Sequence, residues 1–196
     1  MCYNRAMTER PSTVFMGSPD FAVPALERLA GAYPIVGAVT QPDRPAGRGR
    51  TLVPPPVKEA ALRLGIPVIQ PERLRHPEAM EQLRAWAPDL IVVAAFGQIL
   101  KPEVLDLPRR GCINVHPSLL PLYRGAAPLN WAIIRGETRT GVTIMQMDEG
   151  MDSGDILLQE ETVIGPCETV GELHNRLAER GAQLPLRIGG VSLERR

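Results

Sequence analysis

The run Cys112-Ile113-Asn114-Val115-His116-Pro117 sets an amide and an imidazole two residues apart. In an extended strand, alternate side chains share a face, so Asn114 and His116 point one way while Ile113 and Val115 point the other. Pro117 cannot continue a central strand, which puts His116 at the strand's carboxyl end. An amide donor beside an imidazole forms an oxyanion clamp; the plainer alternative is a polar strand end with a hydrogen-bonded histidine. A second cluster, Met147-Asp148-Glu149-Gly150-Met151-Asp152-Ser153-Gly154-Asp155, follows an apolar run with four acids and two glycines. Its spacing does not match an EF-hand loop, so calcium is not expected. One of these acids pairs with His116, and the local pattern leaves Asp148, Asp152 and Asp155 all open. The plainer alternative is a solvated turn.

Other chemistry-bearing residues are less pointed. His174 lies among Val170, Leu173, Leu177 and Ala178 on the apolar face of a helix and reads as a packing residue. His76 precedes Pro77 in a polar turn and reads as solvated. Arg44, Arg48 and Arg50 fall in the irregular stretch from Gln41 to Pro56, which holds five prolines and two glycines. Such a basic loop suits a phosphate backbone, although three arginines are not specific in themselves. The chain contains no G-x-G-x-x-G, P-loop, G-x-S-x-G or H-E-x-x-H pattern. Their absence disfavours a nicotinamide-dependent Rossmann enzyme. Gly17 after the first strand is a single glycine and makes a weak phosphate loop.

The elements that must position these residues alternate strand and helix. Strands are expected at Thr13 to Met16, Ile35 to Thr40, Pro67 to Ile69, Leu90 to Ala94, Cys112 to His116, Gly141 to Met147 and, as a strand or hairpin arm, Asp155 to Ile164. Helices are expected after Asp20, which reads as a cap, then at Val57 to Leu64, Glu78 to Trp86, Glu103 to Leu105, Gly125 to Arg135 and Val170 to Arg180. Gln41 to Pro56 reads as a loop. The wholly apolar Leu90 to Ala94 suits the centre of a parallel sheet. This alternation predicts a Rossmann-like, doubly wound, mostly parallel sheet with helices on both faces, and ligands at the strands' carboxyl ends.

Bulk properties bound the function. The 196 residues suffice for one α/β domain. Lys plus Arg and Asp plus Glu each number 22, giving zero net charge. Any RNA binding must therefore come from a local patch. Cys2, Cys112 and Cys167 show no disulfide framework or metal spacing, which fits a reducing cytoplasm. No apolar run is long enough to span a membrane. Residues 1–12 read as a disordered extension, 13–181 as the catalytic domain and 182–196 as an atypical tail. There, Leu184-Pro185-Leu186-Arg187-Ile188-Gly189-Gly190 is expected to break the helix.

Asn114-Val115-His116-Pro117-Ser118-Leu119-Leu120-Pro121, with Asp152 in Met151-Asp152-Ser153-Gly154-Asp155, resembles the active-site signature of 10-formyltetrahydrofolate-dependent formyltransferases. Four further stretches resemble the N-terminal catalytic domain of the methionyl-tRNA formyltransferase family: Phe15 to Ala22, Gln41 to Gly49, Tyr123 to Pro128 and Gly141 to Asp148. The resemblance implies transfer of the formyl group of 10-formyltetrahydrofolate to the α-amino group of methionyl initiator tRNA, with no metal required. It implies Asn114, His116 and Asp152 as the catalytic trio. It implies a folate pocket at Phe96, Gly97, Gln98, Ile99 and Leu100, at Ser118, Leu119, Leu120 and Pro121, and near Asp148 and Gly150. It also makes Arg44, Arg48 and Arg50 a tRNA-binding loop, and a monomer is expected. That family carries a further C-terminal β-barrel domain, and the chain is expected to be a truncation, frameshift or fragment. Glycinamide ribonucleotide formyltransferase, an amino-sugar formyltransferase and a non-catalytic folate-binding module are the alternatives.

Overall fold

The computed structural model describes residues 10–46 and 51–188. Its main sheet has seven strands in the order β5-β2-β1-β6-β7-β8-β9. These are β1 (Thr13–Gly17), β2 (Ile35–Val39), β5 (Val68–Ile69), β6 (Leu90–Ala94), β7 (Cys112–His116), β8 (Arg139–Gln146) and β9 (Ile156–Val163). The first five run parallel, while β8 and β9 run antiparallel at one edge. β6 lies in the middle, and each of its five residues is buried. Burying one such Val, Leu or Ile side chain contributes roughly 1.5–3 kcal/mol. The unbroken apolar run is therefore what selects the centre of the sheet.

Helices cover both faces. One face packs Phe15, Val92, Ile113, Val115 and Ile144 under α1 (Val23–Ala30), α2 (Pro56–Arg63), α5 (Pro128–Ile134) and α6 (Val170–Ile188). The other packs Val14, Met16, Ile91, Val93 and Cys112 under α3 (Pro77–Trp86) and α4 (Pro102–Leu105). The chain winds outward from β1 toward β5 and then returns through β6 toward β9. A strand-order reversal of this kind opens a crevice at the carboxyl ends of the strands.

Four local expectations are corrected. Asp20 does not cap α1; its carboxylate accepts the adjacent Phe21 N–H at 2.9 Å within a 3₁₀ turn, Asp20–Ala22. The proline-rich stretch is not wholly loop, because β3 (Arg44–Ala46) pairs antiparallel with β4 (Thr51–Val53). The helix expected from Gly125 starts at Pro128, since Gly125 (φ 82°) and Ala127 (φ 55°) are left-handed. The tail does not break the helix at Leu184, because α6 runs on to Ile188 with Pro185 inside it. Ala182 and Leu184 are fully buried in the core there. Pro185 removes one hydrogen bond and crowds the Gly181 carbonyl; the buried side chains of Ala182 and Leu184 just before it override that local cost.

Candidate active site

A cavity of about 810 Å³ opens beyond the carboxyl ends of β6 and β7. Sheet register builds its floor. Val93 pairs with Asn114 and Asn114 with Met145, so these three form one row across β6, β7 and β8. All three line the cavity, as does His116, two residues beyond Asn114 on the same face. The segment Phe96-Gly97-Gln98-Ile99-Leu100 forms one wall, and Met147 to Asp152 forms another. The loop Gly125-Ala126-Ala127 and Pro128 of α5 close the remaining side.

His116 is only 5% exposed. Its Nε2 lies 2.9 Å from the Tyr123 carbonyl oxygen, so this nitrogen carries a hydrogen and donates it. Its Nδ1 lies 3.6 Å from Asp152 Oδ2. A neutral ring has one N–H and can serve only one of these oxygens; a protonated ring serves both. Asp152 gathers the site. Its Oδ1 accepts the Asn114 amide at 3.3 Å, and its Oδ2 accepts the Gly125 backbone N–H at 2.7 Å. Of the three acids left open by spacing, Asp152 is the one that faces His116. Asp148 instead folds onto its own turn, accepting the Gly150 N–H at 2.9 Å and the Ser153 hydroxyl at 2.9 Å. Asp155 is exposed.

Backbone strain concentrates here. Ala95, Ala127 and Asp152 line the cavity with positive φ, and Tyr123, also at positive φ, supplies the carbonyl held by His116. Such conformations cost free energy and persist where surrounding contacts over-determine them. The Tyr123 hydroxyl donates to Glu137, and this bond raises the phenol above its ordinary value.

Sequence reasoning located Asn114, His116, Asp152, Phe96 to Leu100, Asp148 and Gly150, and the fold brings all of them to one cavity. It does not bring Ser118, Leu119, Leu120 or Pro121 to that wall. Ser118 is buried, and its hydroxyl donates to the Leu122 carbonyl at 2.7 Å. Thr143 donates to the Ser118 carbonyl, and Gln159 donates to the Leu120 carbonyl. The turn thus supports the site from behind by fixing the chain just before Tyr123. Arg44 lies on the exposed β3–β4 hairpin and reaches Gln41 Oε1 at 3.4 Å. Arg48 and Arg50 lie outside the described residues. The Tyr123 carbonyl and the Gly125 N–H were missed because backbone groups leave no side-chain signature. The small-residue run Gly125-Ala126-Ala127 before a proline was the one available hint of a close approach.

The fold and cavity define a Rossmann-like α/β protein whose amide, imidazole and carboxylate converge at its strand ends. The formyl transferase family model matches residues 14–188, and the chain belongs to that family. It is 64% identical over 177 residues to a methionyl-tRNA formyltransferase from Syntrophus aciditrophicus, covering 90% of this chain and 57% of that protein. It is 57% identical over 173 residues to the methionyl-tRNA formyltransferase of Geobacter metallireducens, covering 88% of this chain and 56% of that one. The chain therefore spans about half the length of the curated relatives it matches. The crystal structure of phosphoribosylglycinamide formyltransferase from Streptococcus pneumoniae TIGR4 superposes with a TM-score of 0.76 at 22% identity. The match covers 91% of this chain and 96% of that one and shows the shared fold. Among the described residues, no helix is long and apolar enough to cross a membrane.

Proposed function

We propose that this chain carries the catalytic machinery for moving the formyl group of 10-formyltetrahydrofolate to the α-amino group of methionyl initiator tRNA. The observation that carries the reading is the convergence of Asn114, His116 and Asp152 on one cavity. The names of the relatives at 64% and 57% identity support this acceptor over the glycinamide ribonucleotide suggested by the structural neighbour. The cavity suits the donor. Its volume lies in the range that encloses a drug-sized ligand. Val93, Phe96, Leu100, Met145 and Met147 give it apolar walls against which a flat ring system can pack. Phe96 to Leu100, Asp148 and Gly150 are the proposed donor-binding residues. The β3–β4 hairpin with Arg44 is the proposed contact for tRNA.

The chemistry follows from hydrogen-bond capacity. A free α-amine has a pKa of about 7.7–8.0, so part of it is neutral and nucleophilic near neutral pH. Its attack on the formyl carbon leaves negative charge on the carbonyl oxygen. Asn114 commits one N–H to Asp152 and keeps the other for that oxygen. His116 commits Nε2 to Tyr123, which leaves Nδ1 as its reacting nitrogen. Asp152 takes the proton lost by the attacking nitrogen and returns it to the departing N10 as the carbon–N10 bond breaks. The new carbon–nitrogen bond and the transferred proton balance the exchange.

The test offers labelled formyl donor with methionyl-tRNA, glycinamide ribonucleotide and an amino sugar in separate reactions. Label is expected on methionyl-tRNA. His116→Ala is expected to lower turnover by about 10²- to 10³-fold, the usual cost of losing one group aimed at the developing oxyanion, and Asp152→Asn by about 10²- to 10⁴-fold, the usual cost of losing a general acid–base. Transfer to another acceptor alone, or unchanged turnover in both variants, overturns the reading.

A further inference from the structure

One face of α5 stands at the cavity mouth without a role in the chemistry above. Ala127 and Pro128, where the helix begins, line the cavity. Trp131 follows four and three residues later and so lies on their face of the helix. Helical side chains lean toward the N-terminus, here the cavity end. Trp131 is 48% exposed. The Arg135 guanidinium sits 6.0 Å over the Trp131 ring and 5.5 Å over the Tyr123 ring. On the adjoining loop Arg124 is exposed, and its side chain makes no hydrogen bond or ion pair among the described residues. The same loop places its Gly125 N–H on Asp152. Met151, also exposed, lies over Gly125, where an added Cβ would meet its sulfur at 3.0 Å. A half-exposed indole with a cation on one side of it and a second unpaired cation next to a reaction centre suit a flat base joined to a phosphate.

We infer that Trp131 is a stacking platform for the terminal nucleoside of a single-stranded RNA acceptor, with Arg124 and Arg135 facing its phosphates. This deepens the acceptor reading above and rests on it. Placed there, the nucleoside leaves its esterified amino acid next to the loop that holds Asp152. The platform acts on acceptor binding, so Trp131 sets specificity and takes no part in proton transfer.

Two measurements test it. The chain has two tryptophans, Trp86 and Trp131. Trp86 packs against Gly37, where an added Cβ would meet its ring at 2.5 Å, so that ring face is covered, and Trp131→Leu leaves Trp86 as the only tryptophan to compare. Titration with a short single-stranded oligoribonucleotide is expected to quench fluorescence of the chain and not of Trp131→Leu. This arm needs no turnover, so it judges the platform even if methionyl-tRNA proves not to be the acceptor. In transfer assays Trp131→Leu is expected to raise the KM for methionyl-tRNA about tenfold, the scale of one lost base stack. The KM for the formyl donor is expected to stay put, and Trp131→Phe to recover most of the loss. Absence of quenching in the unaltered chain, or quenching that persists in Trp131→Leu, overturns the proposal. So does an acceptor KM that does not move, or that moves together with the donor KM.

Discussion

Asp152 shows what single residues contribute and how far their roles could be read. Asn114 and His116 were legible because strand alternation and a following proline are local rules. Choosing Asp152 over Asp148 and Asp155 was not local: it depends on a loop folding back until one carboxylate meets an amide, a backbone N–H and an imidazole. Gly125 is the least replaceable of those partners. Its φ of 82° disfavours any side chain, and an added Cβ would crowd the Met151 sulfur. Gly125→Ala is expected to cost about 1–2 kcal/mol in stability from the left-handed backbone alone. It is also expected to lower kcat through displacement of Asp152. Urea unfolding and single-turnover transfer, measured on the same preparation, check both effects. Unaltered single-turnover rates would show that this N–H does not position the carboxylate.

At the scale of elements, β6 matched the sequence reading because a wholly apolar five-residue run has few other places to go, and β7 because its apolar residues alternate with Asn114 and His116 up to Pro117. The β3–β4 hairpin escaped it, since three-residue strands holding a proline and an arginine show no alternation. Its base is anchored by polar contacts that sequence cannot show. Asp43 accepts Lys58 at 2.8 Å and Gln70 at 2.6 Å, while Gln41 donates to the Phe96 carbonyl of the cavity wall at 3.1 Å. The hydrogen bond from Lys58, then that from Gln70, hold the Asp43 carboxyl below its ordinary value. A carboxylate with a depressed folded pKa adds stability that is complete above its unfolded pKa, about 3.9. That stability is lost as pH falls through the lower folded value. Urea midpoints are therefore expected to drop on acidification below about pH 4, and Asp43→Asn to flatten the Asp43 part of that slope. An identical slope in the variant would remove Asp43 from the anchor.

Across the whole molecule, the strands that carry the site rest on a helix whose end the sequence reading misplaced. Proline and glycine between Leu184 and Gly190 argued for a break there, because helix propensity is summed locally and burial is not. In the structure Gly181 lets α6 approach β7 and β8 closely, with Val115 only 3.1 Å from the position of an added Cβ and Val142 at 3.4 Å. Val115 lies between Asn114 and His116, so this contact backs the strand that carries them from the opposite face. Leu184, one turn further on, is fully buried in the same core. Leu184→Ala is expected to destabilise the chain by about 2–5 kcal/mol, as buried leucine truncations do. Because Leu184 lies across the sheet from the cavity, kcat at a temperature where the variant stays folded is expected to change far less than the urea midpoint. A stability loss below about 0.5 kcal/mol, the range of surface substitutions, would mean that the helix beyond Gly181 does not stabilise the sheet. A large fall in kcat with the fold intact would instead mean that the core transmits strain through Val115 to Asn114 and His116.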